Sequence, residues 1–195
     1  MFARKALLAA SLLPAAAGAQ TTSVTSPFTV NGNVPQTCTI GAPLLSAGRQ
    51  INFRGLNGTT LQIDQLVDPA TLSTNAASVE VRFEAVCNLA HRLQVETQNN
   101  GLWPTSERAA VAPEGFGDAV PYRADLTWAD RTLRLNADAG VRRIADNSVF
   151  VNGPAVGDIL LRLEVDAGAS NDRANAPLLA GIYGDTIRIT LEPQS

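Results

Sequence analysis

Ala180-Gly181-Ile182-Tyr183-Gly184-Asp185-Thr186-Ile187-Arg188-Ile189-Thr190-Leu191 is the stretch whose reading decides the fold. After the Gly-Asp turn it alternates apolar and polar residues, which predicts a β-strand with Tyr183, Ile187, Ile189 and Leu191 on one face. Only Glu192-Pro193-Gln194-Ser195 follows. A closing strand with an apolar face and no successor is expected to leave an open sheet edge. Proteins normally cover such edges, because their unpaired backbone groups recruit other strands.

The same alternation recurs upstream. Val79, Val81, Phe83, Ala85 and Cys87 form one row with charged residues opposite, and residues 92–97 repeat the pattern. Further strands are predicted at 50–53, 60–63, 122–128, 131–135 and 158–165, the last with Ile159, Leu161, Leu163 and Val165 facing inward. Turns rich in Gly, Asn, Asp and Pro separate them, at 55–58, 98–101 and 151–154. Helical signal is weak and confined to 68–77 and 137–145. Short strands at this spacing predict an all-β sandwich. Residues 104–121 are expected to form a long surface loop.

The N-terminus carries an export signature. Arg4 and Lys5 precede an apolar run over 6–17, and Ala17-Gly18-Ala19 is a small-residue cleavage site. A mature chain of about 176 residues from Gln20 suits one domain. Loss of Arg4 and Lys5 takes the formal charge from −3 to −5 and removes the only lysine. A mildly acidic, lysine-free chain argues against nucleic acid as a partner. It also excludes Schiff-base and phosphate-loop chemistry. Cys38 and Cys87 are the only cysteines, and in an exported protein two cysteines most simply form one disulfide.

No catalytic or metal site emerges. His91 is the only histidine, too few ligands for zinc and without a nucleophile elbow for a triad. Asp64, Asp68, Asp118, Asp125, Asp130 and Asp138 are scattered, which fits solvated charge better than a paired-carboxylate site. Residues 166–172 lack calcium-loop spacing. Trp103 and Trp128 are candidate platform aromatics, although Trp128 lies in a strand-like run and reads as core.

One segment stands apart. Between the cleavage site and Cys38, Val24, Phe28, Val30 and Val34 occupy one row, with Gly32 completing it. Two readings fit: a frayed start to the first strand, or a separate arm with its own apolar stripe.

Together these residues resemble the spore coat protein U domain family, which includes pilin subunits of archaic (Csu-type) chaperone–usher pili. The shared features are the signal peptide with its alternating arm, Cys38-Thr39-Ile40, the strand ending at Cys87, and the closing Gly-x-Tyr-x-Asp-Thr motif at 181–186. Residues 122–126 match the family's central Tyr-x-x-x-Leu strand more loosely, and 99–121 lacks its Gly-rich loop. The tail after Leu191 also departs from the family's aromatic-containing strand end.

The resemblance implies an incomplete immunoglobulin-like β-sandwich completed by donor-strand addition. Its divisions are a signal peptide over 1–19, a donor arm over 20–36 and a pilin domain over 37–195. Val24, Phe28, Val30 and Val34 then enter a neighbouring subunit's groove, while Tyr183, Ile187, Ile189 and Leu191 line the acceptor edge. The implied partners are a periplasmic chaperone, an outer-membrane usher and neighbouring subunits, with no cofactor. The implied location is the cell surface. The rival reading is a self-complete secreted sandwich that binds sugar or protein.

Overall fold

The computed structural model describes residues 24–106 and 112–194. The expected signal peptide and cleavage site lie outside the described residues. The chain divides into two units, Met1–Val34 and Pro35–Ser195. In the first, residues 24–34 adopt no strand or helix, and Val24, Phe28, Val30 and Val34 are exposed.

The second unit is all-β. Its elements are β1 (Cys38–Ile51), β2 (Phe53–Asn57), β3 (Thr60–Ile63), β4 (Ala77–Cys87), β5 (His91–Thr97), β6 (Trp103–Pro104), β7 (Tyr122–Trp128), β8 (Arg131–Ala137), β9 (Ala145–Val151), β10 (Ala155–Val165), β11 (Tyr183–Gly184) and β12 (Ile187–Pro193). An antiparallel five-stranded sheet runs β1-β4-β10-β7-β8, and a three-stranded one runs β12-β5-β9. The hairpin β2–β3 and the short pair β6–β11 complete the set.

The inward rows of the two larger sheets make one core. Val79 and Val81 of β4, Leu126 and Trp128 of β7 and Ile159 of β10 share it with Leu93 and Val95 of β5. This arrangement is consistent with a β-sandwich. Alternation predicts β4, β5, β7 and β10 because each buries one face and wets the other.

The flanks of the two sheets differ. Where β8 and β9 adjoin, Asn147 Nδ2 donates to the Arg134 carbonyl at 2.8 Å and ties one sheet to the other. At the opposite flank β1 and β12 approach each other as the outermost strands of separate sheets. β1 carries the usual edge defences. Its pairing with β4 slips between Ile40 and Pro43 and again between Leu45 and Gln50, and Gly48 has φ +76°.

Several expectations need correction. Predicted strand 50–53 is broken at Asn52, whose φ of 57° separates β1 from β2. Residues 68–77 and 137–145 contain no helix; in the first, the Asp68 carboxylate accepts from the Ala70 and Thr71 N–H groups and holds a turn. The stretch 104–121 is not all surface loop. Ala119 and Val120 are fully buried, with bridges from Val120 to Leu102 and from Gly117 to Leu178.

Cys38 and Cys87 face each other across β1 and β4 and are joined by a disulfide, as expected. It staples the outermost strand of the larger sheet to its neighbour and closes a loop of 49 residues. The paired substitution Cys38→Ser/Cys87→Ser is expected to lower unfolding free energy by about 2–4 kcal/mol in urea titrations. Reductant should do the same to the parent protein and have no effect on the variant.

Candidate functional site

The closing strand begins where Asp185 places it. This carboxylate accepts N–H bonds from Asn99 (2.9 Å), Gly101 (3.2 Å) and Thr186 (2.7 Å), and the Tyr122 hydroxyl donates to it at 2.9 Å. One side chain thereby ties the turn after β5 and the first residue of β7 to the entry of β12. The turn is tightly built. Gly101 has φ +146°, and a Cβ there would lie 2.7 Å from the Ala139 Cβ. Asn100 beside it is fully buried and bonds Asp138.

The same carboxylate corrects the expected face. Tyr183 is not on the strand with Ile187, Ile189 and Leu191. It belongs to β11, which pairs with Trp103–Pro104, and its hydroxyl donates to the Leu179 carbonyl at 2.7 Å. Asp185 bonds Thr186 N–H and Asn99 N–H locally, and that interrupts the ladder between the two segments.

β12 pairs on one side only among the described residues. Its register sets Ile187 opposite Thr97, Ile189 opposite Val95 and Leu191 opposite Leu93. Thr97, Val95 and Leu93 are all 0% exposed. Across the ladder Ile187 and Ile189 are only half-buried, and Leu191 is at 9%. The core therefore thins abruptly over a single strand spacing. Half-buried Cys38, Ile40 and Leu45 of β1, the strand that approaches β12 from the other sheet, also pack against the core.

Backbone direction follows from the bonds at the two ends. Gln98 N–H donates to the Thr186 carbonyl and Gln194 N–H to the Ala90 carbonyl, both at 2.9 Å. In an antiparallel ladder hydrogen-bonded pairs alternate, so Arg188, Thr190 and Glu192 bond β5. Ile187, Ile189 and Leu191 then point their N–H and C=O groups away from β5. The residues whose side chains line the thin part of the core are thus the residues with outward backbone groups. Pro193 continues this outward row, so its missing N–H removes no bond to β5. It ends the row of outward donors.

The remaining candidates have structural roles. His91 is fully buried. Trp128 Nε1–H donates to its Nε2 at 2.7 Å, so Nδ1 carries the proton that meets the Leu89 carbonyl at 2.9 Å. Both ring nitrogens are engaged. Trp128 is core, and Trp103 is covered by the Arg142 guanidinium 5.4 Å from its ring. Asp64, Asp125 and Asp166 bond Arg54, Arg134 and Arg123. Among the described residues no three His, Cys, Asp or Glu side chains gather as a metal site. A largely apolar cavity of about 420 Å³ lies beside β11, lined in part by Leu66, Leu72, Phe116, Leu178 and Tyr183.

Burial, and secondarily the Asp185 carboxylate, push the Tyr122 phenol far above its ordinary range. In the unfolded chain it ionises at about pH 10. Its contribution to stability is therefore complete below that pH and is lost as pH rises above it, by up to about 1.4 kcal/mol per pH unit. Urea titrations between neutral and strongly alkaline pH should show this decline, and Tyr122→Phe should flatten it. Asp185→Ala, which orphans the Tyr122 hydroxyl and the part-buried Asn99 and Gly101 amides, is expected to cost about 2–4 kcal/mol at neutral pH. The chain matches no family model, no curated protein and no solved structure.

Proposed function

We propose that this protein is the structural subunit of an archaic chaperone–usher pilus and polymerises by donor-strand exchange. One observation carries the reading. The half-buried Ile187 and Ile189 and the buried Leu191 combine one apolar row with outward backbone groups on a strand free of bulges, and Pro first appears at its last residue. An edge of that kind is the template that strand addition uses.

In this reading the domain is an immunoglobulin-like sandwich lacking its last strand. Its gap lies between β12 and β1. A periplasmic chaperone lends a strand first, an outer-membrane usher directs the replacement, and the arm of the next subunit fills the gap permanently. Val24, Phe28, Val30 and Val34 are the side chains that enter. Burying four of them contributes about 6–12 kcal/mol before ordering costs. A head-to-tail contact of this kind does not close on itself and builds a fibre at the cell surface, for attachment. The subunit needs no cofactor and performs no catalysis. The rival monomeric binding reading has less support, since neither tryptophan forms an open aromatic platform.

The mature chain purified from cells carrying its own assembly genes, run without boiling on a denaturing gel, is expected to give a ladder of multimers that collapses to monomer on boiling. A lone monomer band contradicts the proposal. Phe28→Asp should abolish the ladder. Because Phe28 is 86% exposed, the same change should alter the unfolding free energy of the monomer by less than about 0.5 kcal/mol. A loss of folding in that variant would favour a self-complete domain.

A further inference from the structure

The outward face of β12 has a second property, which depends on its charges and not on the arm. Arg188, Thr190 and Glu192 point to solvent between the apolar residues, with Arg188 69% exposed and its Nη1 held by Glu96 at 2.8 Å. The remaining guanidinium N–H groups are available to another carboxylate. We propose that β12 is self-complementary and pairs antiparallel with β12 of a second copy, about a two-fold axis through Thr190.

Parity and charge select this register. The outward N–H and C=O groups belong to odd-numbered residues, so odd must face odd across the new ladder. Axes through Ile189 or Leu191 satisfy parity, but they set Arg188 against Thr190 or Gln194 and leave both charges unmatched. An axis through Arg188 or Glu192 opposes like charges. The axis through Thr190 sets Ile189 against Leu191 in hydrogen-bonded pairs and Ile187 N–H against the Pro193 carbonyl. In the same register Arg188 of each copy faces Glu192 of the other, at positions not hydrogen-bonded through the backbone. Side chains approach most closely at such positions, and opposite charges there favour pairing. At each end of this ladder Pro193 accepts one bond through its carbonyl, and the Ile187 carbonyl opposite it stays with solvent.

The product is an isologous dimer with one continuous sheet, β9-β5-β12 joined to its symmetry mate. It closes on itself, unlike a head-to-tail fibre. It also occupies the edge that the arm would use, so the two occupants exclude each other. This inference rests on the geometry of β12 alone and stands or falls separately from the fibre reading.

Sedimentation of the mature chain over a range of concentrations tests it, with Phe28→Asp as background so that arm docking does not contribute. A concentration-dependent dimer is expected. Arg188→Glu and Glu192→Arg should each weaken it by about tenfold or more, since each opposes two pairs of like charges across the axis. An equimolar mixture of the two variants should recover the dimer, because each then meets its opposite charge. Native mass spectrometry should find one copy of each. The double variant Arg188→Glu/Glu192→Arg should recover it alone, which separates charge pairing from damage to the fold. A parent protein that stays monomeric, single variants that dimerise like the parent, or a mixture without recovery would each overturn the proposal.

Discussion

A β-strand carries hydrogen-bonding groups on both sides, and β12 satisfies only one of them within the described residues. That alone is ordinary, since every open sheet has edges. What sets β12 apart is coincidence. Its outward backbone groups and its apolar row, half-covered at Ile187 and Ile189 and buried at Leu191, belong to the same three residues. A strand added there gains a hydrogen-bond ladder and core burial together. The outermost strand of the other sheet on this flank, β1, offers neither cleanly, because its bulges and Pro43 disrupt a regular ladder.

The rest of the fold holds this edge in place. Asp185 gathers amides from the turn after β5 and the phenol of Tyr122, so the first residue of β12 is fixed by parts of both larger sheets. The Trp128–His91 bond does comparable work where β12 ends, since His91 lies opposite Pro193. The disulfide anchors β1, the outermost strand of the larger sheet, to β4. Asn147 fastens the other flank through Arg134, and among the described residues no such side-chain bond joins β1 to β12. Hydrogen-bonded ends and a regular middle give the edge a defined register, as the proposed strand addition requires.

Much of this was legible in the residues, for a physical reason. β4, β5, β7 and β10 each bury one face, so their alternation is clean, and the two cysteines had a single possible partner each. The alternation of 187–191 was legible too, and so was the assignment of Trp128 to the core. Other parts left no such trace. β9 reads Ala145-Asp146-Asn147-Ser148-Val149, and its polar run hides a strand that owes its place to pairing with β5. The separation of Tyr183 from Ile187 depends on where the Asp185 carboxylate bonds, which periodicity does not encode. The burial of Ala119 and Val120 inside a Pro-rich, Gly-rich stretch comes from long-range bridges. The backbone parity that unites Ile187, Ile189 and Leu191 requires the β5 register, and no reading of β12 alone supplies it.

Amide hydrogen exchange at Ile187, Ile189 and Leu191 measures the central claim most directly. In the dilute monomer these three amides should exchange much faster than those of Arg188, Thr190 and Glu192, which bond β5. Adding a peptide with the sequence of residues 20–36 should protect the odd-numbered set and leave the even-numbered set unchanged. Protection of all six amides in the lone monomer, or exchange of the odd set that the peptide does not slow, would contradict the account.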